Sequence, residues 1–159
     1  YMLLSKQKNY FQIMDTSFID PSKSYYFPIY FLVLWIGICM LISIISGWWA
    51  LSKSYRANFP FDGKKLRMKS ATLRWCTSYS GCLTIGANRE GLYLAIFPIF
   101  RINHPPLFFP WKDISTESGK YFVFFNIEKF IFRENSTVHL MVSQKLADRI
   151  FEMRDEQQL

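Results

Sequence analysis

Cys76, Cys82, His104 and His139 are the cysteines and histidines outside the most apolar part of the chain, and they raise metal chemistry first. A structural zinc site is built from close pairs, two to four residues apart for cysteine and three to five for histidine, so that a short loop can wrap the ion. Here the cysteines are six positions apart and the histidines 35. That spacing argues against zinc, and no metal or other cofactor is expected.

Acyl transfer needs a nucleophile, a base and an orienting acid. Ser78, Ser80, His104 and Asp113 supply the residue types. Ser78-Tyr79-Ser80-Gly81 is not a nucleophile elbow, and no phosphate loop or dinucleotide-binding glycine motif is present. The chain is therefore expected to be non-catalytic.

Anion and membrane chemistry remain, and the composition favours them. The 159 residues carry a formal charge of +7. Between Pro28 and Leu51 runs PIYFLVLWIGICMLISIISGWWAL, with no charged residue. A helix over those 24 residues is about 36 Å long, enough to cross a hydrocarbon core of about 30 Å. A cleaved signal would have a shorter apolar stretch and a small-residue cleavage site, and Gly47-Trp48-Trp49-Ala50 makes a poor one. A helix buried in a soluble core rarely runs so far without a polar face. The sequence predicts a membrane-spanning helix over 28–51. Aromatic residues at headgroup level suit both ends: Tyr25 and Tyr26 before it, Trp48, Trp49 and Tyr55 after it. Cys39 is expected as an apolar filler, and Ser43 with Gly47 forms a small-x-x-x-small pair that permits close helix packing.

Charge then orients the chain. Lys6, Lys8 and Lys23 precede the span, while Lys53, Arg56, Lys64, Lys65, Arg67, Lys69 and Arg74 follow it. The positive-inside rule places the C-terminal side in the cytoplasm and the N-terminus outside, for a single pass through the inner membrane. Lys53, Arg56, Lys64, Lys65, Arg67 and Lys69 are the candidate contacts for anionic lipid headgroups, each worth about 1 kcal/mol near such a surface. Nucleic acid is not expected, because the basic run already has a topological role. Met2 and Met14 are candidate start residues for a chain that opens on Tyr1.

The elements that must position these residues follow from periodicity. Residues 1–27 show no clear period, and 52–60 read as a polar linker. The remaining 61–159, part of a chain with 50% hydrophobic and 19% aromatic residues, suffice for one small core. Lys65, Arg67 and Lys69 alternate with Leu66 and Met68, and the phase slips near Ser70, where a bulge or a break is expected. Strands are predicted at Cys82–Gly86 and Gly91–Phe97 around a turn at Ala87–Gly91. Another is predicted at Leu107–Ile114, at a sheet edge or bulged at Pro110, which cannot donate to a ladder. Three more apolar runs follow, Tyr121–Phe125, Lys129–Phe132 and Thr137–Val142. An amphipathic helix over about 143–157 has Ser143 as its N-cap. Trp111 is expected in the core. The dense aromatic run from Phe108 to Phe132 leaves some rings for an exposed apolar patch.

Cys82-Leu83-Thr84-Ile85-Gly86-Ala87-Asn88-Arg89-Glu90-Gly91-Leu92-Tyr93-Leu94, followed by Pro110-Trp111-Lys112-Asp113-Ile114, resembles bacterial pleckstrin-homology-like (GRAM-like) domains. Their theme is a T-x-x-G-L hairpin and then an I-P-W-x-D-I strand end. Thr84 and Gly91-Leu92 stand further apart here than in the shortest form, and Phe109 replaces the Ile. The resemblance covers about 61–159 and extends to small bacterial membrane proteins with one helix before such a domain. It implies an α+β, mainly β fold: a transmembrane helix, then a seven-stranded antiparallel open barrel with a C-terminal capping helix. It also implies a module that binds a partner or a lipid headgroup. Relatives that bind phosphoinositides use a basic cluster in the first hairpin, the region that Lys64, Lys65, Arg67 and Lys69 occupy here. Fold alone does not license that function. The expected role is a membrane-anchored, non-catalytic binding or scaffolding module facing the lipid bilayer. The alternative is an accessory subunit of a larger membrane complex, packed against a membrane protein partner.

Overall fold

A computed structural model describes residues 26–74, 77–121 and 125–156. Its first element, α1, is Phe27–Ile45. Pro28 stands in the first turn, where a missing N–H costs nothing. Nineteen residues make about 28 Å of helix. By length and composition α1 is a candidate membrane span, the one such helix among the described residues.

The apolar run does not continue as one helix to Leu51. Gly47 takes a left-handed φ of +80°, and a second helix, α2 (Trp48–Tyr55), starts after it. A β-carbon on Gly47 would stand 2.5 Å from Val138 Cγ2, so close approach and positive φ both call for glycine there. Trp48, Leu51 and Tyr55 recur at helical spacing and are buried in the core of the sheet that follows. Hydropathy cannot distinguish a residue facing lipid from one facing a protein interior, so the expected span is too long at its C-terminal end. Ser52–Tyr55, expected as linker, is helical as well.

Seven strands follow: β1 Lys64–Leu73, β2 Thr77–Ala87, β3 Gly91–Ile96, β4 Leu107–Pro110, β5 Ile114–Tyr121, β6 Phe125–Phe132 and β7 His139–Ser143. They form one antiparallel sheet in the order β4-β3-β2-β1-β7-β6-β5, curved into a half-barrel. Alternation sets its inward face. Leu83, Ile85 and Ala87 on β2, Leu92, Leu94 and Ile96 on β3, and Phe130 and Phe132 on β6 all turn into one core. The phase slip near Ser70 is present as register shifts on either side of Lys69, with Met68 at φ +54°.

The hairpin between β2 and β3 is closed by Asn88, whose side-chain oxygen accepts from the N–H groups of Glu90 and Gly91. Pro110 ends the edge strand β4, as its missing donor requires. The expected strand through Ile114 is instead broken by a 3-10 turn at Trp111–Asp113, and β5 starts at Ile114. Tyr121 and Phe125, expected in one strand, lie in two, at the paired ends of β5 and β6. The final helix, α3, is Gln144–Asp155. Leu146, Ala147, Ile150 and Met153 form its buried face against β2, β6 and β7. Ser143 holds the N-cap position but makes no side-chain capping bond.

The two sheet edges, β4 and β5, do not pair. Phe109 of β4 stacks on Phe132 of β6 with centroids 3.9 Å apart, and the Tyr55 ring lies 4.8 Å from Phe109. The end of α2 thus fills the opening of the half-barrel. Burial raises the Tyr55 phenol above its ordinary value, and its oxygen accepts from the Glu134 N–H.

Candidate functional site

The sheet module begins with the last turns of α1, because Cys39–Ile45 belong to the same compact unit as the strands. Four elements meet at this joint. Ser43 Oγ donates to the Asn103 carbonyl at 2.7 Å. Trp48 Nε1 donates to the Pro105 carbonyl at 2.9 Å. Arg74, just after β1, donates to the Ile45 carbonyl at 3.1 Å. The Ala57 N–H donates to the Pro106 carbonyl at 2.9 Å. The β3–β4 loop, 97–106, is therefore fastened along one side to the end of the apolar helix.

A chain of polar groups lies under the joint. His104 Nδ1 is 2.8 Å from the Ile102 carbonyl, and His104 Nε2 is 3.1 Å from Tyr79 Oη. Tyr79 Oη is 2.9 Å from Ser46 Oγ, which in turn is 3.3 Å from the Ser43 carbonyl. These four contacts have three protons to share when the imidazole is neutral and four when it is charged. Burial opposes the charge and holds the His104 pKa below its ordinary value, the backbone hydrogen bond to Ile102 acting the other way. Burial likewise pushes Tyr79 up to about 12. The Trp48 indole packs edge-on to both rings, at 5.8 Å from Tyr79 and 5.4 Å from His104.

This geometry decides several sequence expectations. Trp48 and Tyr55, expected at headgroup level, are core residues, fully buried in the first case. Trp49 and Tyr26 are exposed, and Tyr25 lies outside the described residues. Ser43 and Gly47 do not offer a small-residue face to another helix: the first bonds the β3–β4 loop and the second abuts Val138. His104 faces Tyr79 rather than Ser78 or Ser80, and Asp113 stands 3.7 Å from Arg133. Trp111 packs on the core and donates to the Asn88 carbonyl. Cys76 lies outside the described residues. Among the described residues no three histidine, cysteine or acidic side chains gather. Cys39 is buried, and burial raises the Cys82 thiol.

The basic candidates do not converge either. Lys53 Nζ sits 3.9 Å from the centre of the Trp49 ring. Lys64 is ion-paired with Glu156 of the C-terminal segment. Lys65 lies against the stacked rings of Phe61 and Tyr93, and with Arg67 it lines a hollow of about 460 Å³ that reaches Phe97 and Pro98. Lys69 shares a hollow of about 520 Å³ with Lys145 and Arg149 of α3. Arg56 lines one of about 450 Å³ with Trp49, Ser52, Arg101 and Asn103.

Sequence reasoning passed over Arg101, Lys145 and Arg149. The last two were visible as an i, i+4 pair, but nothing in the sequence tied them to Lys69. Among the described residues after Tyr55 the exposed rings are Phe59, Phe97 and Phe100. Of the run from Phe108 to Phe132, Phe109, Phe130 and Phe132 are core, Phe108 and Trp111 are half-buried, and the side chains of Tyr121, Phe122, Phe124 and Phe125 lie outside the description. No protein-family model, no curated protein and no solved structure matches the chain.

Proposed function

We propose that this chain is a membrane-anchored, non-catalytic binding or scaffolding module, which holds a pleckstrin-homology-like β domain at the cytoplasmic face of the bilayer with its N-terminus outside. The observation that carries this reading is the joint. The candidate span ends inside the sheet module, with Ser43 and Ile45 bonded to the β3–β4 loop and to Arg74. An apolar helix built into a folded domain is retained with it, which suits an anchor and not a segment destined for removal. The seven-stranded order and the C-terminal helix support the pleckstrin-homology-like assignment. The excess of Lys and Arg after the helix supports the orientation.

Alkaline carbonate extraction of membranes from cells making the full chain tests the anchor. The protein is expected to stay with the membrane pellet. Release into the supernatant refutes the proposal.

A further inference from the structure

We infer that the hollow beside the joint is a headgroup site for an anionic phospholipid, with Arg56 and Arg101 on its phosphate and the Phe97–Phe100 turn entering the acyl region. This rests on the anchored reading above and adds a ligand class and a place.

Two arginines and no acidic residue line the hollow. Neither Arg56 nor Arg101 has an ion-pair partner among the described residues. A guanidinium presents a planar fork of donors that fits phosphate oxygens, and an unpaired one gives up no existing partner when it binds. Trp49, 47% exposed, forms another part of the wall. Tryptophan suits the layer where headgroup meets hydrocarbon.

The residues just before Arg101 supply the apolar half. Phe97, Ile99 and Phe100 are 54%, 59% and 37% exposed on a 3-10 turn that spans Pro98–Phe100. Three such side chains within four residues, followed directly by an arginine, match a phospholipid read from tail to phosphate. The turn is also held in place. His104 N–H donates to the Arg101 carbonyl at 2.9 Å, and Asn103 and Pro105 are tied to Ser43 and Trp48. A lipid lying beside the last turn of α1 brings its headgroup to this loop.

Of the basic run chosen from sequence, Lys64 sits least well: it opens β1 and is ion-paired with Glu156, whereas β1 meets α1 at its other end through Arg74. Ten residues of strand span up to about 30 Å, well beyond a screening length of about 8 Å. Lys65 and Arg67 instead line the separate hollow that reaches Phe97 and Pro98.

The test uses the full chain in neutral detergent. Its melting temperature is followed against short-chain phosphatidylglycerol, short-chain phosphatidylcholine and inorganic phosphate. Phosphatidylglycerol is expected to raise the midpoint, and the other two, at equal concentration, are not. The double variant Arg56→Gln/Arg101→Gln is expected to weaken phosphatidylglycerol binding about 30-fold. That is about 2 kcal/mol at about 1.4 kcal/mol per decade, from two charges at a lipid surface. Lys64→Gln is expected to leave it unchanged. Wild-type binding by the arginine variant overturns the inference. An equal response to inorganic phosphate also overturns it, by making the hollow a free-anion site. Carbonate extraction of the same variants separates the two claims. A chain that pellets but shows no arginine-dependent preference sinks the headgroup site alone, whereas a chain that is extracted sinks the anchor beneath it.

Discussion

Trp48 and Trp49 are neighbours in sequence and face opposite ways, so truncating each in turn separates the exposed part of the apolar run from the part built into the core. Trp48 is fully buried, donates to the Pro105 carbonyl and packs against Tyr79 and His104. Trp48→Ala removes a large buried ring, at about 3–5 kcal/mol. It also leaves the carbonyl without its donor, about 1 kcal/mol more. A loss near 5 kcal/mol is a large share of the 5–15 kcal/mol typical of a domain. At roughly 4 °C per kcal/mol for a unit of this size, the melting midpoint falls by about 20 °C. Trp49 is exposed and holds only Lys53 over its face. Trp49→Ala forfeits a contact worth about 0.5–1 kcal/mol, or a few degrees. Trp48→Phe keeps the apolar ring, loses the donor and falls between. The assay is thermal unfolding of the full chain in mild detergent, followed by the near-ultraviolet circular dichroism of the packed core. Equal shifts for the two alanine variants, or a larger one for Trp49→Ala, would refute the joint as described.

Gly47→Ala meets left-handed strain of about 1–2 kcal/mol and a clash with Val138, whose Cγ2 lies 2.5 Å from the new β-carbon. A double-mutant cycle with Val138→Ala is expected to show the pair less destabilised than the sum of the single variants, and strict additivity would mean that the two do not touch. His104 is held below its ordinary value of 6.5 by burial, so the unfolded chain takes up its proton first as the pH falls. Its contribution to stability is complete above about pH 6.5 and declines as the pH drops through that value towards the folded one, by at most about 1.4 kcal/mol per pH unit. His139 is shifted the same way, by burial first and Lys129 second. His104→Gln is expected to flatten most of the acid-side slope and His139→Gln less of it. A wild-type profile flat between about pH 7 and 5 would mean that the added imidazolium hydrogen bond offsets burial.

The sheet was largely legible because its physics is local. Alternation on β2, β3 and β6 gave the inward faces, Asn88 and Gly91 gave a hairpin, Pro110 gave an edge, and the period change after Ser143 gave α3. Failures came where a residue's role depends on what lies opposite. Leu51 read as part of the span, and Trp48 and Tyr55 as rings at headgroup level, because hydropathy is the same against a bilayer and against Phe109 and Phe132. Gly47 read as part of a helix-packing pair because its left-handed φ has no signature apart from glycine itself. The basic candidates read as one cluster because they are close in sequence, whereas a bulged strand and a helix spread them over separate hollows. Arg101 was invisible as a site residue, since only the folded β3–β4 loop brings it beside Arg56. The run Phe97-Pro98-Ile99-Phe100-Arg101, apolar side chains directly before a cation at a strand end, was the one signal that could have marked it.

The central claim is that α1 crosses a bilayer and delivers the sheet module to the cytoplasmic side. It is tested most directly by adding protease to intact cells and then to opened ones, with a tag fused after Leu159. The tag is expected to survive on intact cells and to be cut once the inner side is exposed. Cleavage on intact cells, or recovery of the full chain in the soluble fraction, would contradict it.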